Sequence, residues 1–139
     1  MKEIARSTQA MISGMSPMLR EGLYVFVSTA DPDVICDLTP VALSLFREDE
    51  GVSLLVPADA ARRAGQPVDQ AMRCITLNVY SSLEGVGLTA AVATALARHD
   101  IACNVIAAFH HDHVFVLDED SRRALEVLED LQQGVAASE

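Results

Sequence analysis

The stretch from Arg73 to Asp100 constrains the fold more than any other part of the sequence. It begins with alternating residues, the pattern of a β-strand that has two different faces. One face carries Ile75, Leu77 and Val79, and the other carries Cys74, Thr76, Asn78 and Tyr80. Downstream, helical spacing relates Leu88, Val92, Ala95, Leu96 and His99. The sequence therefore predicts a strand, a glycine-bearing loop and a helix in succession.

Strand and helix signals along the rest of the chain define the fold class. The second half reads β-α-β-β-α, which is one strand short of the βαββαβ unit of ferredoxin-like folds. The first half has the same order, but its first helix is degraded to an ambiguous segment at 34–39. We therefore predict an α+β protein with two ferredoxin-like halves, residues 1–70 and 71–139. The strand at 73–80 would close the first half and open the second.

Local patterns give further expectations about individual elements. The run at 23–28 is almost continuously apolar, which predicts a strand buried on both faces. Hairpins are predicted at 48–51, where Gly51 can take a positive φ angle, and at 110–113. In the last helix Ser121 is expected to be the N-cap, and Gly134 is expected to end it before a frayed tail.

Composition excludes several classes of partner. The formal net charge of -10 and the pI of about 4.7 disfavour nucleic acid, which is bound largely through Lys and Arg. No apolar run approaches the roughly 20 residues that a membrane-spanning helix needs, and the N-terminus lacks a signal-peptide pattern. Cys36, Cys74 and Cys103 show no CxxC spacing, so they are expected to be reduced and buried in a cytoplasmic protein.

The loop between the central strand and helix has the parts of a small-molecule site. Backbone N–H groups of Gly85, Val86, Gly87 and Leu88 would lie at a helix start, where they suit a carboxylate. Hydroxyls of Ser81 and Ser82 can donate or accept, and Glu84 can meet an ammonium group. The alternative is structural: the glycines permit a tight turn that Ser81 or Ser82 caps.

The segment His110–His113 raises the question of a metal site. Three imidazoles, those of His110, His111 and His113, can in principle hold zinc or nickel. If a strand continued through the segment, His111 and His113 would align; a turn at His111-Asp112 would instead make His110 and His113 face each other. A structural or surface hairpin is favoured, because metal ligands usually include a second, distant element.

Enzyme signatures are missing from the sequence. No G-x-S-x-G motif surrounds Ser81 or Ser82, and Cys74 and Cys103 lie within apolar strand patterns. The acidic residues at 48–50 are typical of a solvated turn. We therefore expect no catalytic set and no cofactor.

Four motifs together resemble a family of small bacterial proteins with two tandem ACT-like halves, most of which lack an assigned function. The motifs are Met15-x-Pro17-x-Leu19-x-x-Gly22-x-Tyr24-Val25-Phe26, Glu48-x-Glu50-Gly51-Val52-Ser53, the stretch from Ile75 to Ala91 that contains Ser81-Ser82-Leu83-Glu84, and His111-Asp112-His113. The resemblance implies a regulatory fold that binds an amino acid or similar small metabolite, often as a homodimer. It places the ligand at Asn78, Ser81, Ser82, Leu83, Glu84, Gly85, Val86, Gly87 and Leu88.

Two functional hypotheses follow from the sequence. The first is a non-catalytic sensor of an amino acid or related metabolite. The second is a structural or protein-interaction module that assembles through its sheet edges and binds no ligand. Stabilisation of the folded protein by a ligand distinguishes them.

Overall fold

A computed structural model describes residues 8–79 and 87–138, with the side chains of 9–79 and 87–134. The α+β class predicted from the sequence is confirmed. The helices are α1 (Thr8–Ser13), α2 (Pro32–Leu38), α3 (Ala58–Arg63), α4 (Leu88–Arg98) and α5 (Ser121–Ser138), with short 3-10 turns at Thr39–Val41 and Asp118–Asp120. The strands are β1 (Pro17–Leu19), β2 (Tyr24–Thr29), β3 (Ser44–Glu48), β4 (Gly51–Pro57), β5 (Met72–Leu77), β6 (Asn104–Ala107) and β7 (Asp112–Leu117).

The chain divides into two compact units, one inserted into the other. Residues 22–72 form the inserted unit, and the residues before and after them form the flanking unit. Each unit has a hydrophobic core of its own. The boundary between the units falls inside β5, after Met72.

The inserted unit contains β2-α2-β3-β4-α3, and its strands lie side by side in the order β3-β4-β2. Both pairings are antiparallel, and Met72 pairs with Tyr24 on the other edge of β2. The helices pack on one face of these strands. That face supplies the core, which consists of Val25, Val27, Leu38, Leu54, Val56, Ala58, Ala60 and Ala61.

Helix α2 fills the segment that the sequence pattern left ambiguous. Asp31 caps it, since its Oδ1 accepts a hydrogen bond of 2.9 Å from the backbone N–H of Asp33. Pro32 occupies the first helical position, where its missing N–H costs nothing. The inserted unit therefore has the full βαββα order. A regular helix, α2, occupies most of the segment at 34–39 in which the sequence pattern had suggested only a degraded helix.

Two expectations about burial in the inserted unit are wrong. Strand β2 is not buried on both faces: Val25 and Val27 are each 3% exposed, whereas Phe26 between them is 43% exposed. The reason is that α2 and α3 cover only the face that carries the two valines. Cys36, expected to be buried, lies on an exposed side of α2.

The flanking unit contains β5-α4-β6-β7-α5, with the short strand β1 added from the N-terminal side. Its strands neighbour one another in the order β1-β5-β7-β6. Strand β1 pairs antiparallel with β5, so it takes the place of the strand that the β-α-β-β-α pattern lacks. The core lies on one face, between α1, α4 and α5 and the residues Ile75, Leu77, Val114 and Val116.

Helix α5 differs from its prediction at both ends. It continues through Gly134 to Ser138, so the glycine does not end it. At its start, the Ser121 hydroxyl donates a hydrogen bond of 2.8 Å to the carbonyl oxygen of Asp118 and is buried. Ser121 therefore serves the preceding 3-10 turn and does not act as an N-cap that accepts from the helix.

Candidate functional site

The strand-to-helix loop of the flanking unit has described residues at both ends. Asn78 and Val79 follow β5, and Gly87 and Leu88 begin α4. Six of the predicted ligand-binding residues lie outside the described residues: Ser81, Ser82, Leu83, Glu84, Gly85 and Val86.

On the strand side, Asn78 is tied to the segment that connects α1 with β1. Its backbone N–H donates to the carbonyl oxygen of Met15 at 2.6 Å, and its side-chain Nδ2 donates to the carbonyl oxygen of Ser16 at 3.3 Å. Ser16 has a φ angle of 39°, in the left-handed region that a serine rarely adopts. The end of β5 is thereby held in a defined position at the entry to the loop.

On the helix side, Gly87 occupies the N-cap position of α4 with a φ angle of 104°. Glycine suits this left-handed backbone, and it has no side chain with which to cap the helix. The next residue, Leu88, is 4% exposed and belongs to the core. Any contact that Leu88 makes with a ligand must therefore use its backbone N–H.

The hairpin between β6 and β7 corrects the prediction for the histidines. Ala107 pairs with Asp112 and Ile106 pairs with His113, so the turn is not at His111-Asp112 and His110 does not face His113. The chain reverses over residues 108–111, closed by a hydrogen bond of 3.0 Å from the N–H of Ala108 to the carbonyl oxygen of His111. Strand β7 starts at Asp112, two residues earlier than the predicted return strand.

The three histidines of this hairpin have different surroundings. The His110 ring contacts Phe109 edge to face, with 5.0 Å between ring centroids. Nδ1 of His111 lies 3.3 Å from the carbonyl oxygen of Val79, at the start of the candidate loop. Over residues 8–79 and 87–138, no three His, Cys, Asp or Glu side chains are grouped so as to hold a metal ion.

A polar cluster that the sequence analysis missed lies on the other side of the β5 strand from the core. Thr76 is fully buried, and its Oγ1 accepts a hydrogen bond of 2.9 Å from Nε of Arg20. The same oxygen lies 3.0 Å from Nδ1 of His113. The alternation around 74–80 did place Thr76 on the polar face, but Arg20 follows β1, a strand that no pattern predicted.

Burial shifts the pKa of two neighbouring groups on β7 in opposite senses. Burial raises the pKa of the Asp112 carboxyl, and His113 and His111 only partly offset this. Burial also lowers the pKa of His113, with further lowering from the positive charge of Arg20 and from His111, while Asp112 acts to raise it. Folding therefore shifts the protonation equilibrium of both side chains toward the neutral form, relative to the unfolded chain.

Asp112→Asn should stabilise the protein at neutral pH. The folded pKa of Asp112 lies above its unfolded value, so the cost of burying the carboxylate is fully present above the folded pKa and disappears below the ordinary value of 3.8. We expect stabilisation of about 1 kcal/mol at pH 7, the low end of the cost of burying a polar group, and little effect at about pH 3, below the ordinary pKa. Urea unfolding of both proteins at several pH values measures this.

A control for this prediction is Asp130→Asn, which removes the same charge from an exposed position on α5. Equal stabilisation by both variants would mean that the overall negative charge, rather than burial of Asp112, is responsible. Because His113 has a lowered pKa, both variants should still lose stability as the pH falls through about 6.5.

Two of the three cysteines, Cys74 and Cys103, have surroundings that disfavour a reactive thiolate. Burial raises the pKa of Cys74, with the Thr76 hydroxyl and Arg20 acting in the lowering sense, and burial raises that of Cys103. A raised pKa keeps a thiol protonated and therefore unreactive.

In the part of the chain that the structure describes, no helix is both long enough and apolar enough to cross a membrane.

Comparison with known proteins identifies both parts of the sequence. Two family models, each described as an ACT domain, match residues 5–73 and residues 71–130. Together they cover nearly the whole chain. Among curated proteins, none matches at a significant level.

Solved structures give similar matches. A protein of unknown function from Vibrio cholerae, described as a "possible transport protein", is 43% identical, with a TM-score of 0.75 over 85% of this chain and 90% of that one. An Agrobacterium tumefaciens protein is 19% identical, with a TM-score of 0.62 over 84% and 87% of the chains. The regulatory subunit of aspartate kinase from Thermus thermophilus is 11% identical, with a TM-score of 0.64 over 85% and 97%.

Proposed function

The chain belongs to a family of small proteins with two tandem ACT domains, and on this premise we propose that it is a non-catalytic regulatory protein that binds an amino acid or a similar small metabolite. The proposed domains, as divided along the sequence, are residues 1–70 and 71–139, although the segment that precedes residue 22 belongs to the flanking unit of the fold. The proposed binding site is the loop at 78–88. We propose further that the protein is cytoplasmic and acts as a homodimer.

The observation that carries this proposal is the geometry at the two ends of the loop. The hydrogen bonds of Asn78 hold the end of β5, and a left-handed Gly87 begins α4. A strand that leads through a loop into a helix start brings backbone N–H groups and the positive end of the helix dipole together, which suits a carboxylate. The structural likeness to an aspartate kinase regulatory subunit supports the fold that this geometry requires.

The proposed roles of the loop residues follow from the two charged groups of an amino acid. The N–H groups of Gly85, Val86, Gly87 and Leu88 would hold the carboxylate. Glu84 would meet the ammonium group, and Ser81 and Ser82 would add hydroxyl contacts. Asn78 and Leu83 complete the proposed site.

A second candidate function is a protein-interaction module that assembles through its sheet edges. Strand β3 lies at one end of the strand order of the inserted unit and carries exposed apolar side chains. Leu45 is 41% exposed and Phe46 is 72% exposed. An apolar strand at the edge of a sheet is a natural place for another strand to pair.

Thermal unfolding of the untagged protein with each of the twenty amino acids tests the first proposal. We expect a concentration-dependent rise of the melting temperature with one or two of them, because a ligand that binds only the folded state stabilises it. At a ligand concentration of about 100 times Kd the stabilisation is roughly 2.7 kcal/mol. No rise with any amino acid, combined with concentration-dependent self-association, would favour the interaction module.

The double variant Ser81→Ala with Glu84→Ala tests the location of the site. It should lose most of the stabilisation by the amino acid while unfolding at nearly the same temperature without ligand. Ser28→Ala with Glu48→Ala makes the same chemical change at exposed positions in the inserted unit and should keep the full effect. If the loop variant responds like the control, the ligand binds elsewhere.

A further inference from the structure

The polar cluster around Thr76 has features that the proposed loop site does not explain. Arg20 is an exposed residue whose Nε is fixed on the Thr76 hydroxyl. Among the described residues its guanidinium has no carboxylate partner, although the chain contains 20 Asp and Glu against 10 Lys and Arg. Its terminal nitrogens are therefore available to bind an anion.

Hydrogen-bond donors and acceptors limit the proton arrangement in the cluster. Arg20 can only donate, so the Thr76 oxygen accepts from Nε, and its own proton can go to Nδ1 of His113 at 3.0 Å or to Sγ of Cys74 at 3.7 Å. We assign this proton to Nδ1, the stronger acceptor at the shorter distance, which leaves the ring proton of neutral His113 on Nε2. Nε2 has no described partner, and because no described buried side-chain nitrogen or oxygen lacks one, this atom is accessible to solvent.

We propose that Arg20 and His113, both positioned by Thr76, form a binding site for the carboxylate group of a small molecule. This site goes beyond the proposed function, because it is separate from the loop at 78–88. Thr76 is fully buried and acts as a positioning residue. The Nη groups of Arg20 and the Nε2–H of His113 make the contacts with the ligand.

The charge of the cluster favours a singly charged carboxylate over a doubly charged oxyanion. Arg20 is the one permanent cation bonded to Thr76, and a guanidinium matches a carboxylate with two parallel hydrogen bonds. The neighbouring guanidinium of Arg73 is already engaged by the backbone carbonyl of Arg20 and by Asp118. The second negative charge of a dianion would therefore have no free cation in the cluster to balance it. It would also add to the repulsion from a chain whose net charge is -10.

Binding of the anion should be coupled to protonation of His113. Without an anion, protonation of His113 would place a second positive charge opposite Arg20, across the Thr76 oxygen. The Thr76 hydroxyl proton would then have to turn to Sγ of Cys74, a weak acceptor at 3.7 Å. Ile106 faces His113 from β6, and His111 and Asp112 precede it along the chain. A bound carboxylate offsets the charge of Arg20 and makes the imidazolium more favourable.

Proton NMR of the imidazole groups tests the proposal on the full chain, which contains only four histidines. The probe is sodium acetate, compared with sodium chloride at the same ionic strength across a pH titration. We expect acetate to raise the pKa of His113 and to bind about tenfold more tightly to its protonated form, as a charge-assisted hydrogen bond provides. Identical His113 titration curves in the two salts would overturn the proposal.

Variants separate this effect from non-specific screening. In Arg20→Gln, the pKa of His113 should be higher in chloride, because a repulsive charge is gone, and acetate should no longer change it. Arg47→Gln removes the same charge from β3 of the inserted unit and should leave the acetate effect intact. An acetate effect that persists in Arg20→Gln would contradict the site.

Two further arms make the failure of this site distinguishable from failure of the loop site. Ser81→Ala with Glu84→Ala should keep the acetate effect on His113 even where it removes stabilisation by an amino acid. Sodium sulfate, which is a dianion throughout the titration of His113, should change the pKa of His113 less than acetate does at matched ionic strength. A larger effect of sulfate would overturn the assignment to a carboxylate.

Discussion

Gly51→Ala should lower the free energy of unfolding by about 3 kcal/mol, the sum expected for a strained backbone and an overpacked contact. Gly51 begins β4 with a φ angle of 149°, a conformation that alanine rarely adopts. A Cβ atom there would lie 2.7 Å from the carbonyl oxygen of Thr29 on β2. Because that oxygen belongs to the backbone of the neighbouring strand, it cannot turn away as a side chain can. Urea unfolding measures the loss.

Two other glycines of the same chain are matched controls for this substitution. Gly65 has a φ angle of 74° but open space where a Cβ would be, so alanine should cost about 1 kcal/mol. Gly134 lies inside α5 with open space around it, so alanine should stabilise by about 0.5–1 kcal/mol. If Gly51→Ala costs no more than Gly65→Ala, close packing against β2 does not contribute.

The sequence was sufficient to predict elements with a strong local period. Ile75, Leu77 and Val79 do share the core, as their alternation indicated, and so do Leu88, Val92 and Leu96 of α4. In these segments the residues that are apolar are the same ones that the fold buries. The resemblance to tandem ACT proteins, carried by several such segments, is confirmed by the two family models.

Elements that depend on distant partners were not predictable in the same way. Strand β1 is three residues long and begins with a proline, so nothing local marks it. It exists because Met18 and its neighbours pair with β5, far along the chain. The cluster of Arg20, Thr76 and His113 needs that pairing, and for this reason the sequence pattern placed Thr76 on the correct face without revealing its partners.

The sequence pattern of a strand also does not show which faces of its sheet are covered by helices. Strand β2 reads as apolar throughout, but the helices of its unit reach only the side of Val25 and Val27. Phe26 and, on β3, Phe46 remain exposed. An apolar residue in a strand predicts the strand, and a second layer decides whether the residue is buried.

The two hydrophobic cores can be compared by one substitution in each. Leu96 of α4 and Leu54 of β4 are both completely buried, one in the flanking unit and one in the inserted unit. Leu96→Ala and Leu54→Ala should each cost about 2–5 kcal/mol, because the lost transfer energy is joined by the cost of a cavity that closes incompletely. Urea unfolding of each variant gives the loss.

Leu45→Ala is the control, since it removes the same atoms from a side chain that is 41% exposed. It should cost less than either core variant, because much of that side chain already contacts water. Hydrogen exchange shows where each loss acts: Leu54→Ala should weaken the protection of amides in β2 and β4, and Leu96→Ala those in β5 and β7. A core variant that costs no more than Leu45→Ala would contradict the assignment of that residue to a closely packed core.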